Sequence, residues 1–227
     1  MEHFFDSRDS ASREAAARIS AALRKRLDKQ SAASLVVSGG TTPVQCFHEL
    51  AQHDLDWQRV GVIASDERWL PGDHDDSNEK LIRDEFLVDK AANAELLPFY
   101  AAHESVEERA ASLDKILRFA PFPFASSLLG MGTDGHFASL FPDADNLKEG
   151  LDLEGEKLCI AVSTAASPYA RISLTLAALS RSDEIVLLFF GDEKRDVYEE
   201  AKKDNDRYPV SRLLRQKRAP VHIYWAP

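Results

Sequence analysis

The chain is poor in cysteine: Cys46 and Cys159 are the only two in 227 residues. Two thiols without metal-ligand spacing exclude a disulfide framework, and each is expected to be a small core residue. Long apolar runs are also missing, since nothing approaches the roughly 20 consecutive residues that a bilayer span needs. The opening Met1-Glu2-His3-Phe4-Phe5-Asp6 lacks the basic region and apolar core of a secretory signal, so the expectation is a cytoplasmic protein with no membrane partner. No Pro/Gly/Ser-rich linker, internal repeat or low-complexity segment divides the sequence, which predicts one α/β domain over residues 1–227. Basic charge is in deficit, with 28 Lys and Arg against 38 Asp and Glu and a formal net charge of −10. Phosphate backbones demand clustered cations, so this balance argues against a nucleic-acid partner, and any anionic ligand needs a local site.

What is present is an alternation of short apolar runs with amphipathic stretches. Strands are expected at Phe4–Phe5, Leu35–Val37, Val60–Ala64, Leu96–Tyr100, Ala125–Leu129, Lys157–Val162, Glu184–Phe190 and Val221–Trp225. Helices are expected over 12–29, capped by Ser7 or Asp9, and over 44–51, with Thr42 as N-cap and Pro43 in the first helical position. Further helices are expected over 78–87, over 105–119, and from Pro168, where Ile172, Leu176 and Leu179 share a face. The last two run from Gly191 to about Lys203 and over 210–214. This order predicts a three-layer α/β/α sandwich with a mostly parallel, Rossmann-like sheet.

In such sheets ligands bind beyond the carboxyl ends of the strands, so the segments just after each apolar run are the informative ones. Gly130-Met131-Gly132-Thr133-Asp134-Gly135-His136 matches the spacing of a dinucleotide fingerprint. Pro142 and Asp143 follow too soon for the sustained helix that a pyrophosphate needs, so no nucleotide cofactor is expected. Instead, Asp134 and His136 bring a carboxylate beside the side chain best tuned to take a proton near neutral pH. Ser38-Gly39-Gly40-Thr41-Thr42 leads from strand to helix with two glycines and three hydroxyls, a geometry in which amides and side chains face an anion. It lacks the Gly-Lys-Ser/Thr ending of a P-loop, which leaves a phosphate monoester, or simply a tight turn with a helix cap. Asp66-Glu67-Arg68 can do acid/base work or clamp an anion, or be a solvated ion pair. Arg171, expected near a helix start, and Lys194 are poorly placed for the helix dipole, which a bound anion or solvated surface charge explains. Asp73-His74-Asp75-Asp76 reads as a solvated acidic loop and no metal is expected. No Ser occupies a Gly-x-Ser-x-Gly elbow, which argues against a serine hydrolase.

Taken together and in order, Ser38-Gly39-Gly40-Thr41-Thr42-Pro43, Ser65-Asp66-Glu67-Arg68-Trp69-Leu70-Pro71 with Asp76-Ser77-Asn78, and Gly130 to His136 with Ala138-Ser139-Leu140-Phe141-Pro142 resemble the 6-phosphogluconolactonases. Arg171-Ile172-Ser173-Leu174-Thr175 and Gly191-x-x-Lys194 extend the likeness over nearly the whole chain. The resemblance implies a three-layer fold shared with glucosamine-6-phosphate deaminases and a metal-independent lactone hydrolase of the oxidative pentose phosphate pathway. The deaminases are the alternative reading, but their Asn-Glu-Pro and Glu-Tyr signatures are replaced here by Ser139-Leu140-Phe141-Pro142 and Glu67-Arg68. A non-catalytic sugar-phosphate sensor is the third. Phe137 stands where the lactonases usually carry Thr, Ser167 where a second proline is common, and Pro227 where the tail is often acidic.

Roles follow as expectations. A sugar-phosphate lactone rests its phosphate on the Ser38 to Thr42 amides with help from Arg171 and Lys194, and Asp66 is expected among the substrate-binding residues. His136 takes a proton from the attacking water, Asp134 orients or stabilises the imidazolium, and Arg68 favours the oxyanion.

Overall fold

The computed structural model describes residues 1–165, 167–203 and 206–227. In chain order the elements are β1 (Glu2–Phe4), α1 (Arg8–Leu27), β2 (Ala33–Val37), α2 (Val44–Ala51), β3 (Val60–Ala64), β4 (Asp66–Arg68), α3 (Asn78–Glu85) and β5 (Glu95–Leu97). There follow α4 (Val106–Leu117), β6 (Ser126–Leu129), α5 (Leu147–Gly150), β7 (Cys159–Val162), β8 (Arg171–Leu174), α6 (Leu176–Leu179), β9 (Ile185–Phe190), α7 (Asp192–Lys202), α8 (Val210–Arg215) and β10 (Val221–Ala226).

Seven strands form one parallel sheet in the order β1-β10-β9-β6-β2-β3-β5, flanked by helices as the α/β/α reading expects. Its central strands are buried on both faces: every residue of β2 and β6 is buried, as are the first five of β9. That is why they read as continuous apolar runs and not as alternating ones. The chain leaves β2 towards β3 and β5 on one side, then returns to β6, β9 and β10 on the other. This reversal of strand order opens a crevice at the carboxyl ends of β2 and β6, where ligands bind in open α/β sheets.

Helix starts follow local capping chemistry. Ser7 caps α1 by accepting from the Ser10 amide at 3.2 Å, and Ser105 and Glu108 form a reciprocal capping box on α4. Helix α1 begins at Arg8, four residues before the expected Ser12. Helix α2 departs from expectation: Pro43, not Thr42, occupies the cap position, and no side chain caps it. Cys46 and Cys159 are buried and free, and burial pushes both thiols up.

The larger correction concerns the segment after Pro168. The i, i+4, i+7 spacing of Ile172, Leu176 and Leu179 predicts a helix, but Arg171–Leu174 is a strand, and the helix is only Leu176–Leu179, capped by Thr175. Strand β8 pairs antiparallel with both β4 and β7 in a separate three-stranded sheet. Strand β7, expected in the parallel sheet, therefore belongs to this second sheet, and Asp66–Arg68 is a strand and not part of a loop. A pairing across about 100 residues carries no local signal, and it overrides a short helical periodicity. Among the described residues no helix is long and apolar enough to cross a membrane.

Candidate active site

The loops after β2 and β6 lie side by side because those strands are neighbours, with Val37 opposite Leu128. The Ser38 amide donates to the Leu128 carbonyl at 2.9 Å, fastening the start of one loop to the end of the other strand. Between them opens a cleft of about 440 Å³. It is lined by Ser38, Gly39, Gly40, Thr41 and Thr42 on one side and by Gly130, Met131, Gly132 and His136 on the other. Asp66, Arg68, Arg171 and Lys194 complete its polar lining. Of the site residues expected from sequence, only Asp134 does not line the cleft; it stands behind His136.

The fingerprint glycines serve the turn that carries the dyad. The Gly132 amide donates to the His136 carbonyl at 2.9 Å, closing the loop on itself. A Cβ on Gly132 would lie 2.3 Å from the His136 ring and 2.6 Å from Asp134 Oδ1, so a side chain there would expel the imidazole. Asp134 Oδ1 accepts from the His136 amide at 3.1 Å and meets His136 Nδ1 at 2.6 Å. Burial pushes the Asp134 carboxyl up, but the hydrogen bond and charge of His136 outweigh it and hold the group below the usual carboxylate range. With Nδ1–H given to Asp134, the lone pair of Nε2 is the one left to accept a proton. No sustained helix follows this loop; Phe137 pairs with Leu140 in an isolated bridge, and α5 is one short turn.

Strand β4 divides the acidic pair by pleat. Asp66 faces the cleft, accepting from Ser65 Oγ at 2.8 Å and Ser139 Oγ at 2.5 Å, with Arg171 Nη1 at 3.6 Å. Glu67 turns away and is structural. Its two carboxylate oxygens accept the amides of Arg68, Asn78 and Glu79 at 2.7–2.8 Å and the Ser77 hydroxyl at 3.0 Å. It thereby fills the positive end of α3, although burial pushes its carboxyl up against those donors. Arg68 lines the cleft, with Nη1 donating to the Asp76 carbonyl and a buried Nε that has no hydrogen-bond partner among the described residues.

Arg171 opens β8, so the helix-dipole argument for it lapses. Alternation along the strand instead sends Arg171 and Ser173 to the side of Ser139, while Ile172 and Leu174 enter the core. Arg171 also lies over the Phe141 ring at 5.2 Å, and that ring stands 4.2 Å from His136. Burial pulls its guanidinium down, opposed by Asp66. Lys194, third residue of α7, does sit at a helix N-terminus, has no hydrogen-bond partner among the described residues, and is pulled down by burial. A half-buried cation at the positive end of a dipole favours an anion beside it. Ser38 points the same way: its Oγ is buried without a hydrogen-bond partner among the described residues.

Sequence reasoning missed Asn78, Ser139 and Phe141 as members of the site. All three stand in the quoted motifs without a role of their own, and only the fold brings Asn78 and Phe141 to the cleft and Ser139 onto Asp66. Phe137 is 1% exposed and packed in the core where it borders the cleft, so apolar packing fills the position. The acidic loop at Asp73 to Asp76 is ordered by His74 Nδ1, which accepts the Asp76 amide at 3.0 Å. Among the described residues no cluster of three His, Cys, Asp or Glu side chains has metal-binding geometry.

A parallel α/β sheet with an amide-rich loop and a His–carboxylate pair at its switch point has the parts of an enzyme that acts on an anionic substrate. The family model for glucosamine-6-phosphate isomerases and 6-phosphogluconolactonase matches residues 6–225, and the chain belongs to that family. It is 35% identical to a 6-phosphogluconolactonase of Rhizobium meliloti, over 99% of this chain and 98% of that one. With one from Caulobacter vibrioides it shares 39% identity, over 98% and 95%. The crystal structure of a 6-phosphogluconolactonase from Shewanella baltica superposes with a TM-score of 0.95 at 34% identity, covering 100% of this chain and 97% of that one. A monomeric glucosamine-6-phosphate deaminase aligns at a TM-score of 0.72 and 16% identity, a likeness of fold alone.

Proposed function

We propose that the protein hydrolyses 6-phospho-D-glucono-1,5-lactone to 6-phosphogluconate in the oxidative pentose phosphate pathway, with residues 1–227 acting as one lactonase domain. The observation that carries this reading is the pairing of two loops across one cleft: amides and cations suited to a phosphate on one wall, and a carboxylate-aligned imidazole on the other. The relatives named 6-phosphogluconolactonase support it at full length.

In this reading the phosphate is held by the Ser38 to Thr42 amides, the Ser38 hydroxyl, Arg171 and Lys194, which places C1 towards His136. Remote binding thus aligns the reacting carbonyl. His136 Nε2 takes a proton from water as its oxygen attacks C1, and the imidazolium so formed is held by Asp134. Arg68 stabilises the tetrahedral oxyanion. The carbon–oxygen bond of the ring then breaks, and the same imidazolium returns its proton to the departing ring oxygen, leaving a carboxylic acid that ionises. Asp66 positions Arg171 through their close approach. The same reading makes the enzyme cytoplasmic, with a sugar phosphate as partner and neither nucleic acid nor membrane.

The test is disappearance of the lactone above its spontaneous hydrolysis, with ammonia release from glucosamine 6-phosphate followed in parallel. Acceleration of the first without the second is expected. Ammonia release without lactonase activity would transfer the assignment to the deaminases, and neither activity would favour the sensor.

A further inference from the structure

Asn78 is 3% exposed and yet lines the cleft, although it is neither in the phosphate loop nor in the dyad loop. Three constraints hold it. Its amide N–H donates to Glu67 Oε1 at 2.8 Å. Its side-chain Nδ2 donates to the Asp66 carbonyl at 2.8 Å, which settles the orientation of the side-chain amide, because only the NH2 end can donate. Its other end rests against Gly39, where a Cβ would come within 2.0 Å of Asn78 Oδ1 and 2.3 Å of Cγ. Gly39 is therefore a glycine because Asn78 occupies the space of its side chain, and not only because a phosphate approaches.

This arrangement leaves Oδ1 as a fixed acceptor with no hydrogen-bond partner among the described residues. The other side-chain acceptors in the cleft are the hydroxyls of Ser38, Thr41 and Thr42, which stand on the phosphate loop and can donate as well. Both oxygens of Asp66 are engaged, with Ser65 on one and Ser139 and Arg171 on the other. The His136 lone pair is committed to water, and Ser38, Arg68, Arg171 and Lys194 offer donors. A phosphate consumes donors, whereas the ring hydroxyls of a sugar lactone need acceptors as they leave water. We infer that Asn78 is a specificity-determining residue whose Oδ1 accepts a hydrogen bond from one ring hydroxyl of the substrate. The inference rests on the lactonase reading for the identity of the ligand, and it makes Asn78 the side chain that distinguishes a polyhydroxylated sugar phosphate from a simple phosphate monoester.

Binding by calorimetry to the intact protein tests this without turnover, using 6-phosphogluconate, its 2-, 3- and 4-deoxy analogues, and inorganic phosphate. For the wild type, one deoxy analogue should bind about tenfold more weakly than the parent, the size of one well-made hydrogen bond. Asn78→Ala should bind the parent about tenfold more weakly, lose discrimination against that one analogue, and keep its affinity for inorganic phosphate within about twofold. Asn78→Ser, run in the same series, serves if the alanine variant melts below the assay temperature. The inference is overturned if no deoxy analogue is penalised by the wild type, if discrimination survives in the variant, or if phosphate affinity falls in parallel with sugar affinity. A wild type that shows the binding pattern but no lactone hydrolysis would instead sink the functional reading and leave the hydroxyl site standing.

Discussion

Two clusters in this molecule combine an imidazole, a carboxylate and a guanidinium, and they do opposite things. At the carboxyl end of the sheet, His136 gives Nδ1 to Asp134 and keeps Nε2 towards an open cleft, with Arg171 set apart by the Phe141 ring. Beneath α1, His222 accepts from Arg18 Nη1 at 3.2 Å, while Arg18 donates also to Glu184 and Tyr224. His222 is sealed at 3% side-chain exposure, and burial, then the charge of Arg18, push it down to about 4. The difference teaches that partner order, and not residue inventory, sets how readily an imidazole takes a proton. A carboxylate on one imidazole nitrogen supports the protonated state that the proposed reaction needs; burial with a guanidinium on it disfavours that state.

The comparison breaks most severely at His136. His136→Ala should lower kcat by about 10²- to 10⁴-fold while leaving 6-phosphogluconate affinity nearly intact, as removal of a general base does. An unchanged kcat in background-corrected lactone assays would remove it from the role. Asp134→Asn keeps the shape but loses the charged acceptor for Nδ1–H, and should reduce kcat by about 10- to 100-fold with KM little changed. Arg171→Ala and Lys194→Ala should act on binding, each weakening 6-phosphogluconate by about tenfold in calorimetry. Affinity unmoved in both would displace the phosphate from this wall.

The smallest effect probes the closed cluster. His222, held near 4 against an ordinary value near 6.5, takes up a proton more readily in the unfolded chain. Stability is therefore full above about pH 6.5 and falls as pH drops towards 4, by at most about 3 kcal/mol from this group. Around it stand Arg18, the terminal amine and His3, whose charges add to burial in keeping the imidazole neutral, while Glu184, 3.8 Å away, opposes them. The Tm of His222→Asn should decline less steeply across that window, by several degrees at its acid end, with lactone hydrolysis at neutral pH retained. Equal slopes would show that the buried imidazole does not govern acid stability.

Much of the site was legible because its main parts are local. A buried strand followed by a glycine-studded loop is a contiguous pattern, so Ser38 to Thr42 and Gly130 to His136 could be read as strand-end segments before any contact was known. Asp134 and His136 lie two residues apart, which puts their meeting within reach of a single turn. The split between Asp66 and Glu67 was not legible. Adjacent residues point to opposite faces only once Asp66–Arg68 is known to be a strand, and that depends on β8, more than 100 residues later. Arg171 was expected on a helix for the same reason: its alternation with Ser173 has meaning only beside β4 and β7.

Sequence alone determined the parallel α/β class, the two glycine-bearing strand-end loops, and the residue types that each of them carries. These follow from periodicity, glycine placement and side-chain chemistry, all of which act over a few residues. Tertiary structure decided the rest: that β2 and β6 are neighbours, that Arg171 reaches Asp66, and that Asn78 settles against Gly39. Pairing between distant strands is set by which surfaces bury best together, and no local stretch of the chain carries that comparison.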